Sequence, residues 1–295
     1  MDDLIRRAGS QDDSNTRLSI SPEDAGWEYV GLRVVELAPG ERREVSSAGD
    51  ELAVVPLAGS CVVECDGSRF ELEGRAHVFA GITDFVYCPL DSEIVISSVE
   101  GGRFALPSAR AERRLEPAYG PAQDVPVEIR GAGQSSRQLN NFLEPSVFAA
   151  DRLMVVEVLT PDGNWSSYPP HKHDEQRPGE AQLEEIYYFE VGRVGRPPGG
   201  GFGFHRTYTA DGSIDLTATV NHGDAALVPR GFHGPCVAAP GYDLYYLNVL
   251  AGPGEHRSMA FSDDPAYAWV RDAWSGQAAD TRLPLTGVVR TDGKR

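Results

Sequence analysis

From Glu28 onward the chain reads as short apolar runs cut at near-regular intervals by Gly, Asp or Pro. The runs YVGLRVVELA, ELAVVPLAG, CVVECDG, RFELEG, DFVYCPLD and EIVISSVEG are rich in Val, Ile, Phe and Tyr, and the series ends near Ala105. That rhythm predicts antiparallel hairpins closing into a sandwich or barrel, and so an all-β fold. A stretch of Pro, Gly and charge then interrupts it, with VPVEIRG inside it placed to add a strand to the next sheet. A second series follows: RLMVVEVLT, EIYYFEV, GFHRTYT, LTATV, AALVPRG and YDLYYLNVLAG. The two series share a layout while their residues differ, so two similar β domains in tandem are the economical reading. The boundaries expected are 19–115 for the first domain, 116–145 for a linker, 146–260 for the second domain and 261–295 for an extension. Residues 1–18 are polar and charged, which predicts a loosely packed start. Beyond Gly254, DDPAYAWVRDAWSG predicts one short helix with Trp269 and Trp274 packed back on the body.

Charge narrows the function. Lys and Arg total 27 against 44 Asp and Glu, a net charge of −17. Such a field repels phosphate, so nucleic-acid and anionic-membrane partners are not expected. An anionic small molecule needs a metal or a local basic cluster to reverse the sign. Cys61, Cys65, Cys88 and Cys236 form no metal-type pair and read as buried reduced thiols. MDDLIRRAGSQDDSNTR has no apolar core of a signal peptide, and no run approaches a membrane span, so the cytoplasm is the expected address.

Three histidines fall in an interpretable pattern. His171 and His173 flank Lys172, and side chains two apart on an extended segment share a side. Pro169 and Pro170 stiffen the approach to this pair. Glu184 and Glu185 open the strand LEEIYYFEV, and GDAALVPRGFH ends in His233 after a Pro-x-Gly turn. Three imidazoles and a carboxylate make an N₃O set that suits Zn, Mn, Fe, Co or Ni with positions left open. Alternation selects the glutamate. Glu190, read as a solvent-facing carboxylate, shares a side with Glu184, whereas Glu185, Tyr187 and Phe189 share the other. Glu185 is therefore the expected ligand, with Glu184 the alternative if a bulge intervenes. A lone HxH is more often two packing histidines; the added Glu and PRGFH shift the balance to metal. His77, His205, His222 and His256 read as ordinary residues, with His205 nearest the pattern. The tyrosine-rich runs read mainly as barrel filling, with some side chains left at a pocket mouth.

The order HxH, Glu, Pro-x-Gly, His resembles the two cupin motifs, and Gly192 stands seven after Glu185 as those motifs ask. Two departures are the long gap from His173 to Glu185 and a PRGFH one residue short of the common form. SYPPHKHD, LEEIYYFEV, GFGFHRTYT, DAALVPRGFH and APGYDLYYLNVLAGP are similar to the 5-deoxy-glucuronate isomerases of myo-inositol catabolism. Their superfamily includes the 5-keto-4-deoxyuronate isomerases of pectin breakdown. The resemblance is close over 150–270 and looser over 20–115. It implies two tandem cupin (jelly-roll) barrels with metal in the C-terminal one. The first barrel offers Glu44 and Glu51 but no histidine pair, and is expected to be metal-free.

The resemblance also implies an aldose–ketose isomerase taking 5-deoxy-D-glucuronate to 5-dehydro-2-deoxy-D-gluconate. One divalent metal, zinc or another first-row ion, would stabilise the enediolate. Tyr187, Tyr246, Glu184 or a hydroxide on the metal are the candidate bases. For the substrate carboxylate the cations of the motif segments are Arg206, Arg230 and Lys172, with Tyr208 and Tyr246 beside them. Lys172 alternates with the two histidines and should point away. Surface ion pairing is the bland role for the two arginines. Rival readings are a related uronate ketol-isomerase, a cupin dioxygenase, and a non-catalytic sugar-binding bicupin. The expected partner is a small sugar acid, and exposed strand edges make a homodimer plausible.

Overall fold

The computed structural model describes residues 4–9 and 15–287. All strand pairings are antiparallel, and they build three sheets. In the first half the long strand Asp50–Cys65 is the spine. Its first part pairs with Phe85–Cys88 and Gly102–Arg110, and its last part with Ser68–Arg75 and Glu93–Ser97. Register shifts near Pro56–Ala58 and Gly59–Cys61 bend it from one sheet face into the other, as bulges do. Gly59 sits at that corner with φ +90°, where a Cβ would stand 2.5 Å from the Gly101 carbonyl oxygen. Val35, Leu52, Val54, Val63, Ile94, Ile96 and Phe104 fill the interior of this barrel.

The second half is a seven-stranded sheet facing a six-stranded one. The larger runs Ile5–Arg6, Ala225–Val228, Glu184–Gly192, Asp243–Ala251, Met154–Thr160, Arg137–Asn141, Val127–Arg130. The smaller holds Gly203–Tyr208, Phe232–Ala238 and His171–Lys172 among its strands. Val156, Val158, Tyr187, Phe189, Val191, Leu244 and Tyr246 pack between the two. Ile186, Tyr188, Tyr245, Leu247 and Val249 point the other way and join Leu18, Val30, Leu32, Val55 and Tyr87 of the first half in one shared core. Both faces of this sheet are covered, which is why EIYYFEV and YDLYYLNVLAG read as near-continuous apolar runs.

Charged side chains lock the halves together. Glu184 accepts the backbone N–H groups of Glu28, Tyr29 and Val30 at 2.8, 2.7 and 3.1 Å. In reverse, Glu51 accepts those of Asp151, Arg152 and Leu153 at 2.8, 2.6 and 2.6 Å. Arg75 forms a buried two-point pair with Glu157, at 3.0 and 2.8 Å.

Several expectations need correction. Glu190 does not face solvent: it is buried between the halves and paired with Arg103, because that face of its strand meets the first barrel. The chain start is not loose where it is described, since Ile5–Arg6 and Thr16–Ile20 are strands; residues 1–3 and 10–14 lie outside the described residues. The stretch 116–145 is more than a linker: Val127–Arg130 adds the strand expected of VPVEIRG to the second half, but Arg137–Asn141 joins that sheet too and Ala118–Gly120 joins the first half. The short helix of the extension is Val270–Ala273; Trp274 packs against Arg137 and Arg271, but Trp269 is 63% exposed. All four cysteines are free and buried. No helix among the described residues is long and apolar enough to cross a membrane.

Candidate metal centre and its cavity

Register sets the floor of the site. Glu185 pairs with Leu250, Tyr187 with Asn248 and Phe189 with Tyr246 across two adjacent strands, so these side chains share the face turned into the second barrel. The opposite sheet supplies the imidazoles. His171 is the direct register partner of His233, and His173 follows on the same side. Gly234, with φ +96°, lets the chain at Ser167 come so close that a Cβ would meet its carbonyl oxygen at 1.8 Å. A larger residue there would push the histidine strand off Ser167.

The donor atoms converge. His173, Glu185 and His233 are buried and each offers an atom within 4.8 Å of the others. His173 Nε2 lies 2.9 Å and His233 Nε2 3.1 Å from the same oxygen, Glu185 Oε2. The His171 ring stands 4.4 Å, centre to centre, from that of His233. Behind the rings, His173 Nδ1 meets the Leu183 carbonyl at 3.0 Å and His233 Nδ1 the Gly231 carbonyl at 3.2 Å. An imidazole that donates its Nδ1–H to the main chain turns the lone pair of Nε2 towards the carboxylate, which is the form a metal ion takes. Asn248 Nδ2 donates to the other oxygen of Glu185 and fixes its orientation.

In that form two lone pairs and an anionic oxygen meet in a dry place and repel unless a cation lies between them. His233 Nε2 in particular is buried with no hydrogen-bond partner. The residues present therefore fit a divalent ion on His173, Glu185 and His233, with His171 beside them. The electrostatics agree. Burial pushes Glu185 up, but its close contacts with His173 and His233 outweigh this and hold the carboxyl well below its usual range. Burial and the neighbouring His233 hold His171 neutral. For His173 burial lowers the pKa, yet the Glu185 contact prevails and raises it.

A cavity of about 430 Å³ opens on this centre. Its walls include His171, His173, Glu185, Tyr187, Tyr246, Asn248, Arg137 and Arg130, with Leu139, Leu183, Leu250, Met259 and Phe261 as the apolar part. The two tyrosine hydroxyls meet at Ser167 Oγ, at 3.2 Å from Tyr187 and 3.1 Å from Tyr246. Burial drives both phenols upward, helped by Glu185 for Tyr187 and by Cys236 for Tyr246. Both therefore keep their protons and offer O–H groups as hydrogen-bond donors. His205 lies in the barrel core, between Thr207 and Cys236, where burial lowers it to about 3.

Other sequence expectations do not reach the cavity. Glu184 is neither ligand nor base here, because no bulge intervenes and its carboxylate serves the other half. Arg206 is turned out of the barrel by alternation with the buried His205, and its guanidinium lies over the Tyr208 ring at 4.0 Å. Arg230 is exposed and bonds Ser213 at 2.9 Å. Tyr208 donates to Asp264, and Lys172 pairs with Glu180 at 2.9 Å and Glu175 at 3.1 Å. Sequence reasoning missed Arg137, Ser167 and Asn248. Asn248 left a readable trace, a polar residue in phase with Tyr246 inside an apolar run. Arg137 left none, since it lay in the interrupted stretch.

The profile of the KduI/IolB family matches residues 4–270. The chain is 40% identical over 276 residues to the 5-deoxy-glucuronate isomerase of Geobacillus kaustophilus, covering 92% of this chain and 97% of that one. The crystal structure of an IolB-like protein from Salmonella typhimurium LT2 superposes with a TM-score of 0.83 at 36% identity, over 91% of this chain and 99% of the other. At 13% identity, oxalate decarboxylase from Lactobacillus farciminis shares the two-barrel fold alone, with a TM-score of 0.63 over 87% of this chain and 88% of the other. The tandem cupin architecture that the sequence resemblance implied is thus the architecture observed, and this chain belongs to the KduI/IolB family.

Proposed function

We propose that this protein is a metal-dependent 5-deoxy-glucuronate isomerase, interconverting the aldehyde sugar acid and its ketose form, 5-dehydro-2-deoxy-D-gluconate. The observation that carries the reading is the pair of Nε2 atoms, 2.9 and 3.1 Å from one oxygen of Glu185, at the wall of a cavity of sugar size. The names of the family's relatives support the same activity. His173, Glu185 and His233 would hold the ion, with His171 completing the set. A divalent ion bound there acidifies the carbon next to the sugar carbonyl and favours negative charge on oxygen. The donor set accepts most first-row ions, so Zn, Mn, Fe, Co or Ni is decided by supply.

The chain's own side chains do the rest. Asn248 keeps Glu185 in one orientation, so the carboxylate does not swing when substrate enters. Tyr187 and Tyr246, joined at Ser167 Oγ, present phenol O–H groups that can donate to a sugar oxygen as charge grows on it. Leu183, Leu250, Met259 and Phe261 limit water around the reacting carbons.

The test is to purify the protein, identify its metal, and follow 5-deoxy-glucuronate by NMR with and without a chelator, under nitrogen. Ketose formation that stops on chelation and returns with metal is expected. Conversion untouched by complete metal removal, or a demand for oxygen, would refute the reading.

A further inference from the structure

Arg137 has an unusual setting. It is 5% exposed and lines the same cavity wall as the candidate metal centre. Its Nη1 donates to the carbonyl oxygens of Ser135 at 3.0 Å and Tyr168 at 3.3 Å. Among the described residues Nε and Nη2 find no acceptor and no carboxylate lies in ion-pair range of the group. Those two nitrogens form the side edge of the guanidinium, the edge that takes a carboxylate with two parallel bonds.

Its neighbours make this cation costly. Arg130 is its direct register partner across two antiparallel strands, so two like charges stand opposite on one face. Arg130 is neutralised by Glu128, through two bonds of 2.8 Å. Arg271 is neutralised by Asp263 and lies, like Arg137, against Trp274. Among the described residues Arg137 alone of the three has no anion in ion-pair range. A buried, uncompensated charge is kept where something outside the chain compensates it.

We propose that Arg137 is the seat of the substrate carboxylate, gripping it side-on through Nε and Nη2 while the carbonyl end of the sugar acid meets the metal centre. This rests on the isomerase reading and makes the site selective for sugar acids over neutral sugars. Arg130, its charge spent on Glu128, adds a positive rim and not a second grip.

The test uses the metal-loaded full chain, with Arg137→Met and Arg137→Lys. For R137M the KM for 5-deoxy-glucuronate should rise roughly 30-fold or more with kcat little changed, as loss of one partner of a desolvated ion pair does. R137K, which keeps the charge and loses the fork, should fall between. Metal content should be unchanged. The split between KM and kcat separates the roles, since a merely structural arginine would lower kcat and metal content along with affinity. A KM within threefold of wild type in R137M overturns the proposal, as does a KM rise accompanied by lost metal. If the wild type leaves 5-deoxy-glucuronate unchanged, the isomerase reading falls by itself. Calorimetric titration of the same compound into wild type and R137M then decides the seat: binding lost in the variant supports it, and equal or absent binding in both overturns it.

Discussion

Glu184 and Glu185 are consecutive carboxylates that serve opposite faces of one sheet. Glu185 meets the Nε2 atoms of His173 and His233 inside the second barrel, while Glu184 accepts three backbone N–H groups of the first half. One side chain makes the site, and the next holds the platform that carries it.

Exchanging each for its amide should separate these roles. Glu185→Gln should lose bound metal and activity together. Glu184→Gln should keep its metal and lose stability, by roughly 1–3 kcal/mol for weakened charge-assisted bonds. Metal analysis and urea unfolding of the two variants check this, and a metal-free E184Q would contradict it.

Metal removal should itself destabilise the protein. Without a cation, lone pairs of two buried imidazoles face an anionic oxygen. An ion at 100 times its Kd adds about 2.7 kcal/mol to the folded state. The thermal midpoint should drop after dialysis against chelator and recover on metal add-back in wild type, but not in His233→Ala. An unchanged midpoint would mean that nothing binds there.

Arg206→Ala and Arg230→Ala should leave KM for the sugar acid within about twofold, since both guanidinium groups lie outside the cavity. Steady-state kinetics decide it. A large KM effect from either would move the carboxylate seat away from Arg137.

The loop between His173 and Glu185 has its own pH window. Burial raises Glu180, but bonds from Ser262, Lys172, Arg177 and the Asp174 N–H outweigh that and hold it down to about 2. A carboxyl depressed in the folded state contributes stability above its ordinary pKa of ~4.3, and loses it as pH falls through the folded value. Wild type should therefore lose stability between roughly pH 4 and pH 2 more steeply than Glu180→Gln. Denaturant midpoints across that range test it; parallel curves would exclude the contribution.

The long gap before Glu185, a departure from the usual motif spacing, is accounted for by this loop. Glu180 gathers Lys172, Arg177 and the N–H groups of Asp174 and Glu175 around one carboxylate. The extra residues therefore form a pinned turn, and His173 and Glu185 still meet.

What the chain pattern determined by itself was whatever depends on a period of two. His171 and His173 share a side, and Glu185 parts from Glu184 and keeps company with Tyr187 and Phe189; the backbone enforces this wherever a strand forms. Parity selected Glu185 even though its premise about Glu190 was mistaken, because a face turned to the first barrel excludes the cavity as firmly as a face turned to water. Tertiary structure alone decided which strands lie side by side. Pairing Arg137–Asn141 with Met154–Thr160 put an arginine from an unpatterned stretch on the cavity wall, and alternation behind His205 turned Arg206 out of it. Local preference carries no record of register between distant segments. That register is chosen by burial of whole faces, and it determines which charges end up inside.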